Sequence, residues 1–196
     1  MSPGFVAPPA NVDNFPAYAF TGALFRIHAA AKHPGHFSST GDGRFDLVGI
    51  DEAGTCYLAS TPEGAFVEVF GDLRLVPSDL LAAKRISQAN VTDKLQLADV
   101  TDPQVIGRFG VGQEISASLD YDPTQAWARA LAQAGFDGIW YSARHDPAGT
   151  SRSVAVFGHS PLDELRLTWS APERIAPDLL DEIARRFGIE VVPTLR

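Results

Sequence analysis

Tyr121 to Arg144 reads YDPTQAWARALAQAGFDGIWYSAR, and this stretch decides the fold. Asp122–Pro123 opens a helix and Gly135 closes it, with Ala126, Trp127, Ala130, Leu131 and Ala134 along one face. Phe136 to Tyr141 is then an apolar strand that leaves the helix after a short turn. Ser142 sits where that strand ends.

The same mixture of short helices and short strands extends in both directions. Upstream, Leu24 to His28 is a strand, and Pro34 to Arg44 is a loop rich in Gly, Ser and His. Phe45–Ile50 and Thr55–Ala59 read as strands around the turn Asp51–Gly54. Thr61 caps a helix that has Pro62 at its first position and ends near Gly71. Downstream, Ser153–Phe157 and Glu164–Trp169 are strands. A last helix starts at Pro177, turns Leu180, Ile183, Ala184 and Phe187 inward, and stops at Gly188. The predicted class is α+β: a compact mixed sheet of short strands with flanking helices. Residues 1–20 hold four prolines and no periodic pattern, and read as an arm. Residues 21–160 then form the main domain, and 161–196 a strand-and-helix extension packed on it or forming an interface, a homodimer included.

Composition narrows the function. The chain has 196 residues, 45% hydrophobic and 20% charged, which is ordinary globular composition. A net charge of −8 with scattered basic residues argues against nucleic-acid binding, because phosphate neutralisation needs clustered Lys and Arg. Cys56 is the only cysteine, so no intrachain disulfide can form and a reducing cytoplasm is expected. It reads as a buried structural thiol. No secretory signal is apparent, and no apolar run approaches the ~20 residues of a membrane span.

Five polar residues stand in segments that should otherwise be buried: Arg26 in LFRIH, Arg44 in GDGRFD, Tyr57 in TCYLAS, Glu68 in AFVEVF and Ser142 in GIWYSAR. Two guanidiniums, a phenol, a carboxylate and a hydroxyl suit a polyanionic ligand with sugar and aromatic parts, such as NAD. Each residue alone also has a structural reading. Arg26 could pair with an acidic neighbour, Arg44 could be a solvated turn, and Glu68 could be a helix-surface glutamate. Tyr57 could be core, and Ser142 a turn or cap residue. Arg144 and His145 either line the pocket mouth or belong to a solvated loop.

Other signals carry less. His33 and His36 flank Pro34–Gly35, which breaks the helix a metal pair would need, so no metal site is expected. The glycine run 107–112 and GDGRFD both lack a phosphate-loop pattern. IARRFGIEVV, 183–192, leaves too little chain for a recognition helix, and reads as a packed amphipathic helix.

The ordered segments FRI, GDGRFD, YLAS, a Glu-bearing helix, YDPTQAWARAL, GFDGIWYSAR and AVFG resemble the RES-domain family over about residues 22–158. The family's members are best known as toxins of RES–Xre toxin–antitoxin pairs, and their fold resembles that of ADP-ribosyltransferase toxins. The resemblance implies an NAD-consuming enzyme, either a glycohydrolase, a phosphorylase using inorganic phosphate, or an ADP-ribosyltransferase acting on a protein. NAD would be the substrate, with no permanently bound cofactor, and an Xre-like antitoxin would be the partner. Carried over by position, the family's Arg, Glu and Ser are Arg26, Glu68 and Ser142, all in catalytic roles. Arg26, Arg44, Tyr57 and Ser142 are then NAD-binding positions. Ile27 stands where the family often has Tyr. The residue types suit that chemistry. The leaving nicotinamide is already cationic, so positive charge develops on the ribose, where a carboxylate stabilises it. Arginines meet pyrophosphate through charge-assisted, often bidentate bonds. A catalytically silent binding module is the competing class, distinguished by intact NAD in its presence.

Overall fold

Asp122–Gln133 is helical, and Gly138–Ser142 is the strand that follows it, in the computed structural model, which describes residues 6–146, 148–159 and 166–194. Gly135 turns the chain between them at φ 88, a conformation that favours glycine. The elements in chain order are β1 (Ala17–Ala29), β2 (Ala53–Ala59), α1 (Pro62–Phe70), β3 (Leu75–Pro77), α2 (Ser78–Ala82), β4 (Lys84–Asp99) and α3 (Gln104–Phe109). They continue with α4 (Glu114–Ala117), α5 (Asp122–Gln133), β5 (Gly138–Ser142), β6 (Arg152–His159), β7 (Leu167–Trp169), α6 (Pro177–Phe187) and β8 (Glu190–Val192). The architecture is α+β, with a mixed sheet and flanking helices.

Six strands form one sheet in the order β1-β2-β6-β5-β4-β7, and β1 also pairs with β4, so the order closes on itself. Only the β4–β5 pair in this sheet is parallel. The β1–β4 ladder is long, from Ala17↔Ala98 to Ala29↔Lys84. By contrast, β1 meets β2 at a single pair, Phe25↔Ala59. The sheet therefore has a seam beside Arg26, and the candidate site opens there.

Three apolar clusters hold the layers. Leu24, Leu58, Leu95, Leu97 and Val154 fill the space enclosed by the strands. On one outer face, Trp127 and Leu131 of α5 pack with Ile139, Tyr141, Phe45 and Leu47. On another, Phe66 and Phe70 of α1 pack with Ile27 and with Ile183 of α6. Val12 and Phe15 join the α5 cluster, and Trp127 Nε1 donates to the Val6 carbonyl at 2.8 Å. The first five residues of the predicted arm lie outside the described residues.

Several elements differ from the sequence reading. The strand expected at 24–28 begins at Ala17. The longest strand, β4, is absent from the sequence reading: Ala89 and Val91, then Leu95 and Leu97, alternate with polar residues, but the polar run Thr92–Asp93–Lys94 breaks the pattern in the middle. Pairing on both edges holds such a polar strand in place. Residues 45–50 form turns, not a strand. Asp46 accepts from the backbone N–H groups of Gly41 and Gly43, which curls the chain around its carboxylate. In α5 the inward face is Thr124, Gln125, Trp127, Ala128 and Leu131. In α6 Ile183 is buried, while Ala184 is exposed. Of the strand expected at Glu164–Trp169, residues 164 and 165 lie outside the described residues, and β7 covers Leu167–Trp169.

Candidate active site

Helix α1 brings Glu68 to the sheet. Thr61 Oγ1 accepts from Gly64 N at 3.0 Å, and Pro62 occupies the first turn. Gly64 allows close packing: a Cβ there would stand 3.1 Å from Ala59 Cβ. Ala59, Ser153 and Tyr141 form one row across β2, β6 and β5. One helical turn beyond Gly64, Glu68 lies over that row, and Ser153 Oγ donates to its Oε1 at 2.6 Å. Tyr141 also contacts the carboxylate through its hydroxyl. Burial pushes the Glu68 carboxyl above its ordinary range, against the opposing pull of Ser153, Arg44 and Tyr141. Burial, then Glu68 itself, drives the Tyr141 phenol well above its usual range.

Arg44 is held by a turn assembled from several directions. The buried Asp46 carboxylate accepts from Gly41 N and Gly43 N, each at 3.1 Å, and from Tyr57 OH at 2.9 Å. Tyr57 OH in turn accepts from Phe45 N at 2.8 Å. Any side chain at Gly43 would collide with the Asp46 carboxylate and the Tyr57 hydroxyl. From α5, Gln125 Nε2 donates to the carbonyls of Gly41 and Gly43, each at 2.9 Å, and Thr124 Oγ1 donates to that of Arg44. These bonds explain why two polar residues face inward on α5. The Arg44 guanidinium donates to the Ser118 carbonyl and lies 5.2 Å from the Tyr121 ring centroid. Burial, then Asp46, raises the Tyr57 phenol far above its usual range, so it remains an uncharged donor.

Arg26 enters from the seam. Its Nη1 donates to the carbonyls of Pro34 and His36, the latter at 2.7 Å, and to Cys56 Sγ at 2.9 Å. The loop 34–36 thereby fixes the guanidinium, and the buried Cys56 packs behind it.

Arg26, Arg44, Tyr57 and Glu68 all line one cleft of about 320 Å³. Ser142 does not. Side chains alternate along a strand, so Ser142 faces away from the side on which Tyr141 meets Glu68. It borders another hollow, with Val105 and Arg152. The hydroxyl at Glu68 belongs to Ser153. The Tyr57 hydroxyl already serves Asp46 and Phe45, so its ring is what it offers the cleft. Tyr121, Tyr141 and Ser153 were not foreseen as site residues. The period-two pattern of β5 places Tyr141 opposite Ser142, but nothing in the sequence reveals the cross-strand partnership of Tyr141 with Ser153. Arg144 and His145 also line the cleft, facing Asp72. Among the described residues, no group of three or more His, Cys, Asp or Glu is arranged to hold a metal ion, and no helix is long and apolar enough to cross a membrane.

A closed mixed sheet whose seam sets the sunken Glu68 carboxylate among arginines and tyrosines defines an α+β domain with a polar cleft. The RES domain family model matches residues 23–176, and the chain belongs to that family. It is similar to a probable NAD(+) phosphorylase of Mycobacterium tuberculosis (strain ATCC 25618 / H37Rv), 32% identical over 123 residues, which cover 61% of this chain and 55% of that protein. The chain thus spans about half the length of that curated relative. A chain in the crystal structure of the M. tuberculosis MbcT–MbcA toxin–antitoxin complex shares the fold, with a TM-score of 0.67 and 19% identity. The match covers 86% of this chain and 92% of that one.

Proposed function

We propose that this protein is an NAD-consuming toxin that cleaves the bond between nicotinamide and ribose. The observation that carries this reading is the Glu68 carboxylate, held by Ser153 in a cleft that also contains Arg26 and Arg44. The arginines suit the pyrophosphate, to which charge-assisted bonds are about twice as strong as neutral ones. Glu68 faces the ribose and stabilises the positive charge that develops at C1″ as the bond to nicotinamide breaks. The bonding pair leaves with nicotinamide and neutralises its pyridinium, so no strong acid is required. The rings of Tyr57 and Tyr121 supply flat apolar walls for the nicotinamide. The M. tuberculosis relative named as a probable NAD(+) phosphorylase supports inorganic phosphate as the acceptor. Capture by water would give a glycohydrolase, and capture by a protein side chain an ADP-ribosyltransferase.

The test is to incubate the purified protein with NAD, with and without phosphate, and to measure nicotinamide. Release establishes an enzyme, and intact NAD with measurable binding establishes a silent module. In cells, production of the protein alone is expected to deplete NAD and arrest growth. A neighbouring Xre-like antitoxin, acting in the cytoplasm, is expected to reverse both effects. Normal growth despite verified soluble protein would count against the toxin reading.

A further inference from the structure

A phosphate acceptor must enter a cleft that already holds a carboxylate, in a protein of net charge −8. Water enters without a counter-charge, whereas a phosphate dianion requires local cations. Besides Arg26 and Arg44, two further basic side chains line the cleft, Arg144 and His145. Both come from the turn after β5. That turn is fixed by the buried Asp146 carboxylate, which accepts from the backbone N–H groups of Ala148, Thr150 and Ser151.

Arg144 and His145 converge on one atom. Asp72 Oδ1 lies 3.5 Å from Arg144 Nη2 and 3.5 Å from His145 Nε2. Gly71 makes room for this arrangement, because any side chain there would collide with the His145 ring. The Arg144 and His145 side chains are 28% and 20% exposed, against 73% for Asp72. The basic pair is therefore sunk into the wall, while the carboxylate is free to swing into solvent. Gly71 keeps a right-handed helical backbone, so Asp72 continues the path of α1. Four residues after Glu68, it stands about 6 Å further along the helix axis. Arg144 is within electrostatic reach of Glu68, and Arg44 of His145.

We propose that Arg144 and His145 form the seat of the acceptor phosphate, and that Asp72 fills this seat as an intramolecular anion until phosphate displaces it. The proposal rests on the NAD-cleaving reading above. A phosphate held one helical turn from Glu68 stands beside a ribose held by that carboxylate. One phosphate oxygen bonds to C1″ as the C1″–N1 bond breaks, and the bonding pair departs with nicotinamide. With hydrogenphosphate as acceptor no proton has to move, and the products are ADP-ribose 1″-phosphate and neutral nicotinamide. Arg144 supplies a planar fork for two phosphate oxygens. His145, whose pKa is lowered by burial, adds an N–H donor.

Two measurements test the seat: nicotinamide release, against phosphate concentration at saturating NAD and against NAD concentration at saturating phosphate, and titration of the NAD-free protein with inorganic phosphate followed by phosphorus NMR. Arg144→Gln should raise the KM for phosphate about tenfold, the loss expected for a charge-assisted hydrogen bond, while the KM for NAD moves by less than about threefold. Asp72→Asn should lower the KM for phosphate by about threefold or more, since the competing anion is gone. Breaking one ion pair from its two sides would shift both variants the same way if the pair only supported the fold. A phosphate KM unmoved in both variants, or an NAD KM that rises in parallel, overturns the proposal. Wild-type release indifferent to phosphate overturns the seat and leaves NAD cleavage standing. No release at all overturns NAD cleavage, and the titration then decides the seat. Binding weakened by Arg144→Gln and tightened by Asp72→Asn sustains it, and binding unaffected by either sinks it.

Discussion

Glu68 is a group whose burial works against its charge and whose neighbours hold that charge in place. Its carboxyl titrates above the ordinary value because burial outweighs the help of Ser153, Arg44 and Tyr141. If the charged form opposes the developing ribosyl cation, Glu68→Gln should lower turnover by about a hundredfold or more, with NAD affinity nearly intact, because the interaction grows only in the transition state. Nicotinamide release at saturating NAD beside a binding titration measures both quantities, and near-normal turnover would return Glu68 to an ordinary structural role. The raised pKa also sets two pH trends. Activity should fall as pH drops through the folded-state value, so the acid limb begins at a higher pH than an unperturbed glutamate would give. For stability the direction is reversed. The folded state binds this proton more tightly than the unfolded chain, so the contribution of Glu68 is full below its unfolded pKa and is lost as pH rises through the folded pKa. The melting temperature of Glu68→Gln relative to wild type should therefore climb as pH rises through that window, and a difference flat in pH would refute the buried-charge account. Arg26 poses a different problem, because loop carbonyls and Cys56 already fix its guanidinium. Arg26→Ala should weaken NAD binding, and Arg26→Lys should restore it only in part, since an ammonium cannot reproduce the planar fork. Unchanged NAD affinity in Arg26→Ala would leave Arg44 as the leading phosphate ligand.

At the scale of elements, the turn 41–46 shows how a loop becomes a rigid part of a site. Its shape comes from a central Asp46 carboxylate, the Tyr57 hydroxyl below it and two α5 side chains above. Tyr57→Phe removes the acceptor of the Phe45 N–H and one donor to Asp46. The orphaned N–H alone should cost about 1–3 kcal/mol of stability, read from urea unfolding. The KM for NAD should rise more than kcat falls, because Arg44 loses its fixed position while Glu68 is untouched. A variant with wild-type KM would show that this hydroxyl does not support Arg44. The sequence gives only part of this turn. Gly41, Gly43 and Asp46 announce a bend, but Phe45 and Leu47 also fit a strand pattern, which is why a strand was expected at 45–50. What decides against the strand is a set of bonds from β2 and α5, distant in sequence.

For the whole molecule, the C-terminal helix α6 covers the outer side of α1, with Ile183 fully buried against Phe66 and Phe70. Ile183→Ala should destabilise the fold by about 2–5 kcal/mol, seen as a lower urea midpoint with an unchanged slope. A loss below about 0.5 kcal/mol would mean that α6 is a surface appendage. Local patterns alone were enough for the α1 cap at Thr61–Pro62 and the α5–β5 unit, because helix caps and periodicity are visible within a few neighbouring residues. Arg26, Arg44, Tyr57 and Glu68 stand out locally only as polar residues in apolar segments, each with a structural alternative, and the fold places them in one cleft. The tertiary structure alone decided the rest. It extended β4 through polar residues by pairing both of its edges, and it set Ser153 beside Glu68 by strand alternation and cross-strand register. It also brought Asp72 to Arg144 and His145. Each of these depends on contacts between residues far apart in the chain, where hydrogen-bond partners and the direction of side chains are fixed only once the sheet has closed.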